Sequence, residues 1–158
     1  MKTIHGNLIK LAIAGEFSVI VHGCNCQNNM GAGIAKQIAK IYPGAVHADD
    51  AAYRDKSFRM LGDISVGFET NVNGALFVVN AYTQDRYGRG KRHADYDAIR
   101  SCFKEINKRF GMTMHHKIGY PMIGAGLAGG DWNIIKQIID EELEGSDHTL
   151  VIYDNKRA

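Results

Sequence analysis

The segment from His22 to Gly33, HGCNCQNNMGAG, gathers amide side chains, thiols and one imidazole just ahead of an amphipathic run. A second segment, Gly124-Ala125-Gly126-Leu127-Ala128-Gly129-Gly130-Asp131, also follows an apolar run and precedes helical periodicity. Glycine lets the backbone approach a ligand closely, and a helix start presents unpaired N–H groups with a partial positive charge. Taken singly, each segment is equally a tight strand-to-helix turn. Together they suit a diphosphate held between them.

Other chemistry-bearing residues carry plainer readings. His22, Cys24 and Cys26 lack a second ligand pair at zinc spacing, so the expectation is small half-buried thiols and no metal. His115-His116 reads as exposed polarity before a strand, and Trp132 as a core residue opening a helix. The basic run Arg86–His93 (RYGRGKRH) is either a solvated loop or a lid that meets ligand phosphate, with RNA binding behind both. Gly124-Ala125-Gly126-Leu127-Ala128-Gly129 fits the dinucleotide fingerprint G-x-G-x-x-G, with Asp154 placed as a ribose acid. A Rossmann sheet needs further βα units beyond that point, and this sequence reaches Ala158 first. No P-loop pattern occurs.

The elements that must position these residues follow from periodicity. Met1–Ile4 and the apolar run Ser18–His22 predict strands. Gly33–Tyr42 predicts a helix with Ile34, Ile38 and Ile41 on one face, stopped by Pro43. Gly44–Tyr53 predicts a second helix. Asp63–Glu69 and Ala75–Asn80 flank turn residues and predict a hairpin. Asp95 is placed to cap a helix through Ile99, Cys102, Phe103, Ile106 and Phe110. Lys117–Met122, a helix from about Trp132 and Thr149–Tyr153 complete the alternation. The expected fold is α/β: a three-layer α/β/α arrangement around a mixed central sheet, in a single domain over 1–158.

Composition bounds the function class. At 158 residues and 45% hydrophobic, the chain can bury a real core. Its net charge of +2 gives no strong nucleic-acid signal, and three cysteines do not make a disulfide framework. No apolar run reaches membrane-spanning length and no signal peptide is evident, so the expectation is a cytoplasmic protein without membrane contact. A monomer is expected, with no cofactor.

Three motifs in order carry a resemblance: GNLI (Gly6–Ile9), VHGCNCQNNMGAGIA (Val21–Ala35) and IGAGLAGGDW (Ile123–Trp132). Together they resemble the macrodomain superfamily, in particular its branch of ADP-ribose 1″-phosphate phosphatases and terminal ADP-ribose glycohydrolases. The resemblance implies an ADP-ribose or ADP-ribose 1″-phosphate ligand. Asn7, with Leu8, would meet the adenine, Asn7 standing where the family has an aspartate. Asn25 would orient the distal ribose, its amide both donating to and accepting from hydroxyls. Met30, Gly31, Ala32, Gly33 and Ile34 would form one phosphate loop. Ile123, Gly124, Ala125, Gly126, Leu127 and Ala128 would form the other.

For reaction chemistry, the resemblance implies phosphate release with Asp131 placing or deprotonating a water. His22 would orient that water or protonate the leaving oxygen, and Asn25 would assist. Asp131 is also a favoured helix cap. The glycohydrolase pattern is broken at Gln84 and Ala128, where a lysine and an acid would be needed. Two alternatives stand beside the phosphatase: a binding module without turnover, and a hydrolase acting on ADP-ribosyl or O-acetyl-ADP-ribose groups.

Overall fold

Residues 1–112 and 115–154 are described by the computed structural model. Strand β1 (Lys2–Gly6) leads into helix α1 (Leu8–Ile13), then β2 (Val19–Cys24), α2 (Gly33–Ile41) and α3 (Pro43–Arg54). The hairpin β3 (Ile64–Asn71) and β4 (Gly74–Tyr82) precedes α4 (Tyr96–Ile106), β5 (Lys117–Tyr120), α5 (Trp132–Glu142) and β6 (Asp147–Tyr153). The six strands form one mixed sheet in the order β1-β6-β5-β2-β4-β3, in which only β3 runs antiparallel to its neighbour.

Helices cover both faces, as the alternating pattern predicts. On one face Leu8, Ile9 and Ala12 of α1, Ile38 of α2 and Ala45 of α3 pack on Ile20 and Val78. On the other, α4 and α5 bring Ile99, Phe103, Ile135 and Ile139 onto Val19, Val21 and Val79. The alternation along β2 decides which residue faces which layer: Val19 and Val21 point toward α4 and α5, whereas Ile20 and His22 point toward α1–α3. Each such aliphatic side chain, removed fully from water, contributes about 1.5–3 kcal/mol.

Pro43 both stops α2 and opens α3 at its first position, where its missing N–H costs nothing. Several expectations are corrected. Ile41 is 46% exposed, because α2 ends there and its packing stripe closes at Ile38. Leu8–Ile13 is a short helix that the periodicity does not mark. The Phe110 register runs on from α4 through a π-helical turn, Asn107–Gly111. His116 is half-buried rather than surface polarity: Nδ1 lies 3.0 Å from Ser18 Oγ, and its ring edge meets Phe77 and Phe110.

Candidate functional site

Strands β2 and β5 are neighbours, yet the helices that follow them lie on opposite faces of the sheet. A crevice opens at the carboxyl ends of such a strand pair. Both glycine-rich turns lie here, close together: Leu127 Cδ1 is 3.9 Å from where a side chain on Gly33 would begin.

The first turn holds its own shape. Asn25 Nδ2 donates to the Asn29 carbonyl (2.8 Å), Asn25 Oδ1 accepts from the Gln27 amide (2.9 Å), and Asn29 Oδ1 accepts from the Gly31 amide (2.9 Å). The turn then delivers α2 with an open end. Its N-cap is Ala32, which has no side-chain oxygen, so no side chain bonds the first N–H groups. Gly33 itself sits at φ +58°, a conformation that favours glycine. Gly31, Ala32 and Gly33 are exposed, while Met30 and Ile34 pack partly against the α1–α3 core.

The second turn is closed by its own backbone: the Gly130 amide donates to the Gly124 carbonyl (2.7 Å) and the Gly129 amide to the Gly126 carbonyl (3.1 Å). Ile123 and Ala128 are buried and form its frame, whereas Gly126 and Leu127 are presented to solvent. Among the described residues, the amides of Gly126, Leu127 and Ala128 donate to no partner. Here the following helix is capped, because Asp131 Oδ1 accepts from the Asn133 amide at 2.9 Å. The Asp131 amide in turn donates to Tyr96 Oη (3.0 Å), and the Arg92 guanidinium stands 4.3 Å over the Tyr96 ring. That amide donor, together with Arg92, holds the Tyr96 hydroxyl below its ordinary pKa.

The Macro domain family model matches residues 21–139, spanning both turns. The chain belongs to the macrodomain family, whose members bind ADP-ribose. It is 34% identical over 142 residues to the 17.5 kDa protein of the tk-vs intergenic region of Enterobacteria phage T4, covering 89% of this chain and 88% of that one. A solved protein from Bacteroides thetaiotaomicron is 27% identical, with a TM-score of 0.78 over 96% of this chain and 98% of that one. DarTG of Thermosipho africanus, solved in complex with ADP-ribose, shares the fold at 16% identity. Its TM-score is 0.71 over 100% of this chain and 43% of that one.

Within this macrodomain, the expected acid–base pair does not come together. His22 is 0% exposed and faces the α1–α3 layer, whereas Asp131 caps a helix of the opposite layer. Burial drives the His22 pKa down to about 4, with the Asn80 hydrogen bond only partly opposing it. The imidazole is therefore neutral at neutral pH and out of reach of solvent. This corrects the expectation that an ordinary histidine pKa equips it as a proton donor.

His22 instead begins a row of polar side chains across three strands. It pairs with Asn80 on β4, which pairs with Ser65 on β3. The links are His22 Nε2 to Asn80 Oδ1 (2.6 Å), Asn80 Nδ2 to Ser65 Oγ (3.0 Å), Ser65 Oγ to Tyr82 Oη (2.8 Å) and Tyr82 Oη to Asp49 Oδ1 (2.8 Å). Of these residues the sequence singles out only His22. The missed signal is a polar residue, Asn80, in the apolar strand LFVVNAY, whose register sets it beside His22.

Asn7 also serves the fold, since its Oδ1 accepts from the Lys10 amide (3.0 Å) and caps α1. The neighbouring Leu8 is buried. Cys24 lies buried with its thiol pKa raised, and burial and nearby carboxylates push Cys26 up to about 12, so both stay protonated. Gln84 Nε2 is turned onto the Arg86 carbonyl (2.7 Å).

The basic segment after β4 bridges the two turns. At one end the Asp85 carbonyl accepts from the Cys26 amide (2.9 Å) and from Gln27 Nε2 (3.3 Å). At the other, the His93 and Ala94 amides both donate to the Ala128 carbonyl (2.8 and 3.1 Å), and Arg92 packs beside Gly129. Arg86, Arg89, Lys91 and Arg92 between these anchors are all exposed. No helix among the described residues is long and apolar enough to cross a membrane.

Proposed function

We propose that this macrodomain takes ADP-ribose carrying an additional terminal phosphate, ADP-ribose 1″-phosphate, and releases that phosphate. The observation that carries the reading is the cationic segment Arg86–Arg92, held between the two glycine-rich turns by hydrogen bonds at both ends. The open start of α2 and the free amides of Gly126, Leu127 and Ala128 suit the diphosphate. A neighbouring stretch of four exposed cations supplies positive potential for a further phosphate. DarTG of Thermosipho africanus, part of which shares this fold, was solved in complex with ADP-ribose, which supports the nucleotide part of the ligand.

In this reading Asn25 and the two loops orient the substrate and Asp131 positions the attacking water. One carboxylate oxygen of Asp131 holds the helix cap, and the residue is exposed. His22 contributes no proton. Ala128 is buried and Gln84 is turned onto Arg86, which leaves the glutamate-linked glycohydrolase reading without its acid and its lysine.

A second reading is favoured by the engagement of those same groups. With His22 buried and Asp131 serving as a cap, the domain is a binding module that holds ADP-ribose without turnover. Calorimetric titration with ADP-ribose, followed by phosphate release from ADP-ribose 1″-phosphate, decides between them. The phosphatase reading expects turnover that falls at least ~100-fold in Asp131→Asn, which keeps the cap but cannot take a proton. Tight binding with no phosphate release would leave the binding module.

A further inference from the structure

The turn that carries Asn25 is tied to the interior by the buried row, and the direction of every link is forced. Asn80 Nδ2 donates to the Ala45 carbonyl (2.9 Å) and to Ser65 Oγ, so its Oδ1 must accept and His22 carries its proton on Nε2. Tyr82 has a single hydroxyl proton, which goes to Asp49, so Ser65 is the donor between Ser65 and Tyr82. Tyr82 donates onward to Asp49, a residue only 2% exposed. The second oxygen of Asp49 faces the turn: the Asn28 amide lies against two carboxylates, which only accept, so its nitrogen is assigned to that side, where it donates to Asp49 Oδ2 (3.1 Å) and Asp50 Oδ1 (2.9 Å). Asn28 sits at φ +54°, the one non-glycine residue with positive φ among those described.

We propose that this row sets the ligand affinity of the first turn, with Tyr82 and Asp49 as positioning residues that hold Asn28 and the ligand-facing residues beside it. The proposal rests on ADP-ribose being bound at this turn. Among the described residues, the hydrogen bonds that leave the turn run two ways: to Gln84 and Asp85 after β4, and to Asp49 and Asp50 on α3. Of these hydrogen bonds only the second set reaches a helix packed on the sheet, on the layer where Met30 also packs in part. Apolar side chains would stabilise that interior without the desolvation that polar groups suffer there. A row satisfied at every link instead fixes orientation, and its last donor is a residue of the turn.

Tyr82→Phe removes the bridging hydroxyl and keeps the ring. Calorimetry with ADP-ribose should show about tenfold weaker binding, the loss expected if the competent turn is populated only a tenth of the time. Amide exchange over residues 25–31 should quicken while α4 and α5 stay protected. Ile139→Val, a core change on the opposite face, lowers stability without touching the row and should leave both readouts unchanged. Ser65→Ala breaks the row at a half-buried position and decides the matter if Tyr82→Phe does not fold. Wild-type affinity and exchange in the row variants, or equal weakening by Ile139→Val, would overturn the proposal. Failure of the wild-type protein itself to bind ADP-ribose would overturn the ligand reading, while the exchange measurement would still report whether the row holds the turn.

Discussion

The two glycine-rich turns leave adjacent strands at the same end of the sheet, but they deliver helices in different states. The first opens α2 with an alanine at the cap, so its leading N–H groups have no side-chain acceptor. The second opens α5 with Asp131, which already supplies one. What lies beneath them differs too. A polar row runs under the first turn from His22 to Asp49, while the second rests on the apolar cluster of Ile99, Ile123 and Ile135. A turn over an apolar core can be held by packing alone. One that presents amides and an open helix end needs support with direction, and hydrogen bonds provide it.

The largest effect that separates the two faces is on acid stability. His22 has a folded-state pKa of about 4 against an ordinary 6.5. Below pH 6.5 the unfolded chain takes up a proton that the folded one refuses, so stability is full above that pH and is lost progressively as pH falls toward 4. The span corresponds to roughly 3 kcal/mol. Burial lowers His148 as well and adds a loss of the same sign, while burial raises Asp49 and adds an opposing gain on acidification. Those two groups remain in His22→Gln, so the difference in slope between variant and wild type isolates His22. Urea denaturation at several pH values should show a shallower fall between pH 6.5 and 4 in the variant. Parallel curves would mean that the acid response comes from elsewhere.

Next comes ligand approach. An added side chain at Gly126 meets nothing within 4 Å, and its φ is one that other residues adopt. Gly126→Val should therefore fold as stably as wild type yet weaken ADP-ribose binding by roughly 100-fold, about 2.7 kcal/mol. Gly33→Val cannot be read so cleanly, since the φ of +58° strains any branched residue by about 1–2 kcal/mol. Unchanged affinity in Gly126→Val would remove the second turn from the binding surface.

Much of this is legible in the sequence because periodicity records which face of an element is buried. The hairpin, α2, α4 and α5 follow from it, and the Asp95 cap is legible from its place before the α4 stripe. Helix α1 is not, since six residues, LIKLAI, are too few to separate a helical stripe from a short apolar strand. The glycine turns are legible as turns. Their difference is not, because an aspartate before a helix has the same letter whether it caps or catalyses. The run SVIVH reads as a buried strand that ends at His22, and its pattern does not say which layer the imidazole enters. The strand continues to Cys24, and that continuation, with α3 laid over it, puts His22 in the interior.

A smaller effect follows from giving the first turn the second turn's cap. Ala32 has φ −142° and ψ 157°, the extended geometry of a capping residue. Ala32→Asp should bond the free N–H groups of α2 and raise stability by about 1 kcal/mol. The same carboxylate would occupy the anion position and repel a diphosphate, so ADP-ribose should bind about tenfold more weakly, a change of about 1.4 kcal/mol. Gain in one and loss in the other is the signature of a helix end kept open for a ligand. A gain in stability with unchanged affinity would show that the ligand does not use it.

The smallest effect belongs to the converse change. Asp131→Ala removes the acceptor from the Asn133 amide and should cost about 1 kcal/mol, a fall in Tm of about 2–4 °C for a domain of this size. Asp131→Asn keeps an oxygen at the same place and should cost only a few tenths of a kcal/mol. Neither should alter ADP-ribose affinity, since the amides presented by the second turn belong to Gly126, Leu127 and Ala128 and not to the capped start of α5. Urea midpoints measured beside calorimetric titrations separate the two quantities. If Asp131→Ala weakens binding while its stability stays at the wild-type value, the carboxylate acts on the ligand rather than on the helix. The two turns would then differ less than their caps imply.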